Sequence, residues 1–222
     1  MSAMSEPYNS FSGQSLERLT ALTDGVFAVA MTLLVLDLRV PVSTAVSAHS
    51  SRGLAEALVK LGPSFAAYLL SFTLLGTFWL AQHTLLSILG RCDRALTWIQ
   101  LGFLFVVTLL PFSAALLAHF VHLRLAVGLY WLNILLLGAG LEWSARHGRK
   151  ALLADAQQAR SRLTTFRRRI LIAQSLYALA ALICVISTLA SVIALAAVQL
   201  YFILSPRLPR IERMRSRDPH DR

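Results

Sequence analysis

Charge is scarce in this chain and acid is scarcest: 14% of its 222 residues are charged, with 11 Asp and Glu against 21 Lys and Arg. Cysteine is nearly missing as well. Cys92 lies in a polar stretch and Cys184 in an apolar run, so neither a disulfide pair nor a Cys-based metal motif is on offer. His83, His119 and His122 come without H-E-x-x-H, H-x-x-E-H or a carboxylate cluster, so no metal site is expected. No G-x-S-x-G and no Cys/His arrangement supplies a nucleophile with a base at hand, so no enzyme activity and no cofactor are expected. There is no long internal repeat, which excludes a solenoid or an array.

What is present is apolar. Hydrophobic residues make up 56% of the chain and mean hydropathy is +0.63, values that place it among multi-span membrane proteins rather than soluble domains. A net charge of +10 could suggest nucleic acid. The basic residues, however, fall between and after the apolar runs, where the positive-inside rule puts them, so no nucleic-acid partner is expected.

The runs read as an all-α membrane protein with six transmembrane helices, at about residues 20–38, 61–81, 95–117, 125–142, 170–187 and 190–205. Residues 1–17 are polar and read as a disordered tail, 18–205 as one transmembrane domain, and 206–222 as a basic tail. Gly62-Pro63 lets a helix begin afresh after Glu56 and Lys60, Pro111 falls inside the third run, and residues 187–191 suit a tight turn. Residues 144–169 form a basic loop of helical character. Could the first run be a cleaved signal peptide, with Val46-Ser47-Ala48 downstream? It is long for that, and Asp37-Leu38-Arg39 intervenes.

Six crossings put both termini on one side, and the cations test the arrangement. One side then carries Arg18, Arg91, Arg94, the long loop and the tail, 17 in all; the other carries Arg39, Arg52, Lys60 and Arg124. That asymmetry places both termini in the cytoplasm. The basic loop and tail are then topology determinants and contacts for anionic lipid heads.

The first run is the unusual one, because it carries Thr23, Asp24 and Thr32. An ionised carboxylate at mid-membrane costs about 2.5–3.5 kcal/mol on insertion scales. At 100° per residue, Val29, Thr32, Leu33 and Leu36 share one face, extended by Arg18, Leu22 and Gly25, while Asp24, Phe27 and Met31 fall on the opposite side. The apolar row is either helix packing or the lining of a path. Thr32 either faces that path or bonds its own backbone. Asp24 is either a helix-start acid favoured by the dipole or an anchor tied to Arg18 and to His83 or Trp79.

Arg18, Asp24, Gly25, Val26, Phe27, Ala28, Ala30, Thr32, Leu33, Leu34 and Pro41, with Ser71, Phe72, Trp79, His83, Leu110, Pro111 and Phe112, resemble the signature of the transmembrane protein 175 family. The first-helix part of that signature is R-x-x-x-F-S-D followed by G-V-F-A-I-A. The resemblance covers the first three runs by motif and the rest by layout. It implies a potassium-permeable channel, in prokaryotes a homotetramer in the inner membrane, with first helices lining the pore and no TVGYG filter, a motif also missing here. It further implies a constriction at Val29, Leu33 and Leu36 with a polar ring at Thr32, and a structural network of Arg18, Thr23, Asp24, Trp79 and His83. The permeant ion would be K+, with no resident cofactor. Departures from the pattern are Leu22 and Thr23 for Phe and Ser, Val29 for Ile, and Gln100 for Asn. A transporter would show paired halves or ionisable residues at mid-membrane in the later runs; these have almost none. A non-conducting scaffold is the other alternative.

Overall fold

A computed structural model describes residues 6–39, 51–151 and 157–204. Pro41, His49, the Val46-Ser47-Ala48 stretch and the basic tail 206–222 lie outside the described residues. The described chain forms eight α-helices and no strand: α1 (Glu6–Leu33), α2 (Ser51–Lys60), α3 (Gly62–Leu89), α4 (Arg94–Thr108), α5 (Leu110–His119), α6 (Arg124–Ala151), α7 (Gln157–Leu182) and α8 (Thr188–Leu204). Leu16–Asp37, Gly62–Leu89, Arg94–His119, Arg124–Ala151 and Gln157–Val185 are long and apolar enough to cross a bilayer, and α8 is a shorter apolar helix of 17 residues. The chain is an all-α, multi-pass membrane protein.

Local chemistry sets most helix ends. Pro63 occupies the first turn of α3, where its missing N–H costs nothing. At the other end Gly90 adopts a left-handed φ of 61°, so its own N–H can bond the Leu86 carbonyl and close the helix. Asp93 then caps α4, its carboxylate accepting the Leu96 N–H at 2.7 Å. The third apolar run is two helices rather than one, because Pro111 cannot donate to Val107 and its ring crowds that carbonyl. The chain breaks at Leu109 and restarts as α5.

Several boundaries differ from the sequence expectation, among them the end of α3, which runs to Leu89 rather than about residue 81. Helix α1 begins at Glu6, inside the segment whose composition reads as a tail, since lengthening a formed helix costs far less than starting one. At the other end α1 stops being α-helical at Leu33, and Leu34–Asp37 is wound as a 3-10 turn. The basic loop is mostly helix: α6 continues to Ala151 and α7 starts at Gln157, so both apolar helices project beyond the hydrophobic layer. Between α7 and α8, Ser187 Oγ accepts the Ala190 N–H at 3.3 Å and Ser191 Oγ donates to the Ala180 carbonyl at 2.8 Å.

Helix α6 is the hub, packing against α3, α4, α5, α7 and α8. Tyr130, Ile134, Leu137, Leu141 and Ala145 on it are fully or almost fully buried. Apolar contact between helices gains little in lipid, so buried hydrogen bonds matter, each contributing about 0.6 kcal/mol on average. Gln82 donates to Gln100, whose amide donates to Ser144 Oγ at 3.2 Å, joining α3, α4 and α6. Tyr177 donates to Gln199, which donates to Thr77 Oγ1 at 2.7 Å, joining α7, α8 and α3.

Candidate functional site

Helix α1 packs on α3, α4 and α5 with one side only. Leu19, Thr23, Phe27, Ala30 and Leu34 are buried there, a spacing of three and four that makes one stripe. Phe27 is the peg of that stripe, its ring 6.1 Å from Phe103 of α4. Phe103 in turn lies against Gly140 of α6, where an added Cβ would come within 2.9 Å of the ring. A single line of close contact therefore runs from α1 through α4 to the hub.

The row formed by Val29, Thr32, Leu33 and Leu36 is left largely open by the described residues. Val29 is 58% exposed, Leu33 44% and Leu36 69%. Thr32 is exposed too, and its hydroxyl donates to the Val29 carbonyl at 2.8 Å. That bond uses the proton and leaves the oxygen lone pairs outward, so Thr32 presents an acceptor and no donor. An acceptor suits a cation.

The network residues divide. Trp79 Nε1–H of α3 donates to Asp24 Oδ1 at 2.8 Å, and the Trp79 ring sits 6.0 Å from His83. Asp24 thus meets the span-two residues while itself staying exposed, off the buried stripe of α1. It lies deep within a helix that starts at Glu6, so the helix-start reading of this acid does not apply. Thr23 is buried and bonds the Leu19 carbonyl at 2.8 Å, a hydroxyl satisfied within its own helix. Arg18 is exposed, and no hydrogen bond or ion pair joins it to Asp24 within the chain.

Other polar contacts gather around this frame. Asp37, in the 3-10 turn that ends α1, lies 3.9 Å from His119 Nδ1 at the end of α5. Glu142 on α6 accepts from Arg146 at 2.8 Å and from Arg167 of α7, a pairing across helices that the spacing of these residues did not reveal. His147 of α6 meets Asp93 Oδ2 at 2.8 Å. Partial burial pushes the Asp93 carboxyl up, but the Leu96 N–H and His147 outweigh it and hold the group below the usual carboxylate range. Burial pushes the neighbouring Cys92 thiol up. The two partners of Asp93 lie at very different ranges, Leu96 three residues away and His147 54 residues away, and the second leaves no mark in local spacing. Among the described residues no group of three His, Cys, Asp or Glu could hold a metal ion.

Residues 18–111, which hold the exposed row, the Asp24–Trp79 contact and the Pro111 break, match the family model described as the endosomal/lysosomal potassium channel TMEM175. A potassium channel of Streptomyces collinus is 42% identical over 105 residues, 47% of this chain and 48% of that protein. A potassium channel of Chamaesiphon minutus is 38% identical over 116 residues, 51% of this chain and 56% of that protein. The matched part of the chain thus spans about half the length of these relatives. The crystal structure of a lysosomal potassium-selective channel TMEM175 homolog from Chamaesiphon minutus superposes with a TM-score of 0.75 at 30% identity, covering 86% of this chain and 98% of that one.

Proposed function

Because this chain belongs to the TMEM175 family, a family of ion channels and not of enzymes, we propose that it is a potassium-preferring cation channel. Four copies assemble with their first helices around a central path, and Val29, Leu33 and Leu36 form its constriction with Thr32 as a polar ring. The observation that supports this reading is the one-sided packing of α1: its back is sealed against α3, α4 and α5, while the row is left open. The relatives' names point the same way.

Rings of Val and Leu make a neck that closes by expelling water. When the neck is open, an ion passing it sheds part of its hydration without full replacement, and potassium releases its shell more cheaply than sodium. Acceptor oxygens at Thr32 replace part of what is lost. Asp24, bound by Trp79 with His83 beside that ring, sets the tilt of the helix rather than the chemistry of the path; Arg18 completes the anchor from a neighbouring copy, and Thr23 seats the helix on its buried side. The 18–205 unit is the conducting domain. It resides in the inner membrane of a prokaryote with both termini in the cytoplasm, and its basic loop and tail meet anionic lipid heads.

Potassium and sodium flux from proteoliposomes holding the native chain or Val29→Asn tests the neck. A polar ring at that level wets the constriction, so flux rises and the preference for potassium falls. Unchanged flux and preference, with the variant assembled normally, would remove Val29 from the path.

A further inference from the structure

Past the hub, the last turn of α6 and the first turns of α7 enclose an open cleft of about 590 Å³ lined by Arg149, Lys150, Gln157, Arg160, Ser161 and Thr164. We propose that this cleft binds the phosphate of an anionic lipid headgroup. The inference rests on the reading that the basic segments meet lipid heads and gives that contact a defined site.

Three observations carry it. First, Gln157, Arg160, Ser161 and Thr164 follow i, i+3, i+4, i+7, so one face of α7 is wholly polar and turned toward Arg149 and Lys150. Leu163, on an adjoining face, is fully buried and fixes that orientation. Second, among the described residues the lining carries three cations and no acid. Glu142, the acid of α6, is engaged by Arg146 and Arg167, and the stretch 152–156 that links the two helices contains one acid, Asp155, which leaves cations in excess. The guanidinium, ammonium and amide donors, with the Ser161 hydroxyl, match the acceptor oxygens of a phosphate, while the Thr164 hydroxyl is spent on the Arg160 carbonyl at 2.9 Å.

Third, the cleft is continuous with a groove down α6. Lys150 lines both, and the groove passes His147, Arg146 and Glu142, an acid paired with Arg146 and Arg167, to Trp143 and Ala139. Trp143 is 65% exposed, about two turns below Arg149 and Lys150. An exposed tryptophan at that level is the usual marker of the headgroup boundary, with hydrocarbon beneath it. A ligand with phosphate at Lys150 and chains running past Trp143 fills both parts, whereas a free phosphate fills only the upper one. The volume also suits a headgroup, within the usual range of about 300–1,000 Å³ for ligand sites.

The test uses the intact protein in detergent, with bound lipid counted by native mass spectrometry. Phosphatidylglycerol, phosphatidylcholine and soluble glycerol 3-phosphate are offered to the native chain and to two variants. One is Arg149→Gln with Lys150→Gln and Arg160→Gln; the other removes the same charge elsewhere as Arg39→Gln with Arg52→Gln and Arg124→Gln. The expected result is at least tenfold weaker phosphatidylglycerol binding in the first variant and less than twofold change in the second. Equal loss in both reduces the contact to general attraction and overturns the site while leaving lipid contact standing. No preference for phosphatidylglycerol over phosphatidylcholine in the native chain overturns both. Glycerol 3-phosphate binding as tightly as the lipid overturns the lipid assignment.

Discussion

Helices α1 and α6 are each 28 residues long and both cross the apolar layer, yet they are built on opposite plans. Helix α6 is enclosed by five neighbours and buries polar residues such as Asn133, Glu142 and Ser144 along with its aliphatic ones. Helix α1 buries one stripe and leaves Val29, Leu33 and Leu36 uncovered. In water that contrast would mark α1 as unfinished; in a membrane, lipid, a partner copy or an ion path can each cover an apolar side chain. The polar residues are therefore the more informative part of α1. Thr32 lies on the open side with its hydroxyl bonded to its own helix, and Asp24, exposed as well, is held by Trp79 of α3.

The contrast breaks most readily at its one rigid joint. Phe27→Ala removes the peg between α1 and α4, and truncating a buried Phe costs about 3–5 kcal/mol. The variant is expected to lose thermal stability and assembled oligomer in detergent, measured by gel filtration after heating, while Leu36→Ala on the open side leaves the melting point of the subunit nearly unchanged. Gly140→Ala presses on the same joint from α6. Its Cβ lands 2.9 Å from the Phe103 ring, and overpacking of this kind costs about 1–3 kcal/mol. A thermal melt coupled to flux should show both stability and conductance falling, because the displaced ring bears on Phe27.

The smallest effect lies outside this joint. Asp93→Asn keeps a capping oxygen for Leu96 but weakens the link to His147, with at most about 1 kcal/mol lost. The sign of the pH effect follows from the depressed Asp93 carboxyl. Its stabilising contribution is present above the unfolded carboxylate range and is lost as pH falls through the lower folded value. The melting point of the native chain should therefore fall more steeply than that of Asp93→Asn below about pH 4.

Much of this was legible in the residues. Apolar length and the scarcity of charge gave the class, Gly62-Pro63 a helix start, and the 100° wheel separated Val29 from Phe27. Pro111 was visible, but whether a proline bends a helix or divides it depends on what repacks around the freed carbonyl. The 3-10 winding at Leu34–Asp37 left no mark in a run of Leu and Val, since hydropathy carries no information about a hydrogen bond shifting by one residue. The pairing of Glu142 with Arg167, and the cleft beyond it, required knowing that α6 and α7 lie side by side.

That shift in winding changes how the open row is arranged near its C-terminal end. An α-turn would carry Leu36 300° around from Leu33; three steps at about 120° bring it back into line, about 6 Å farther along the axis. The two leucines are consequently stacked like washers on one bolt instead of staggered. In the proposed path a passing bead would meet them as two barriers of the same bearing in succession.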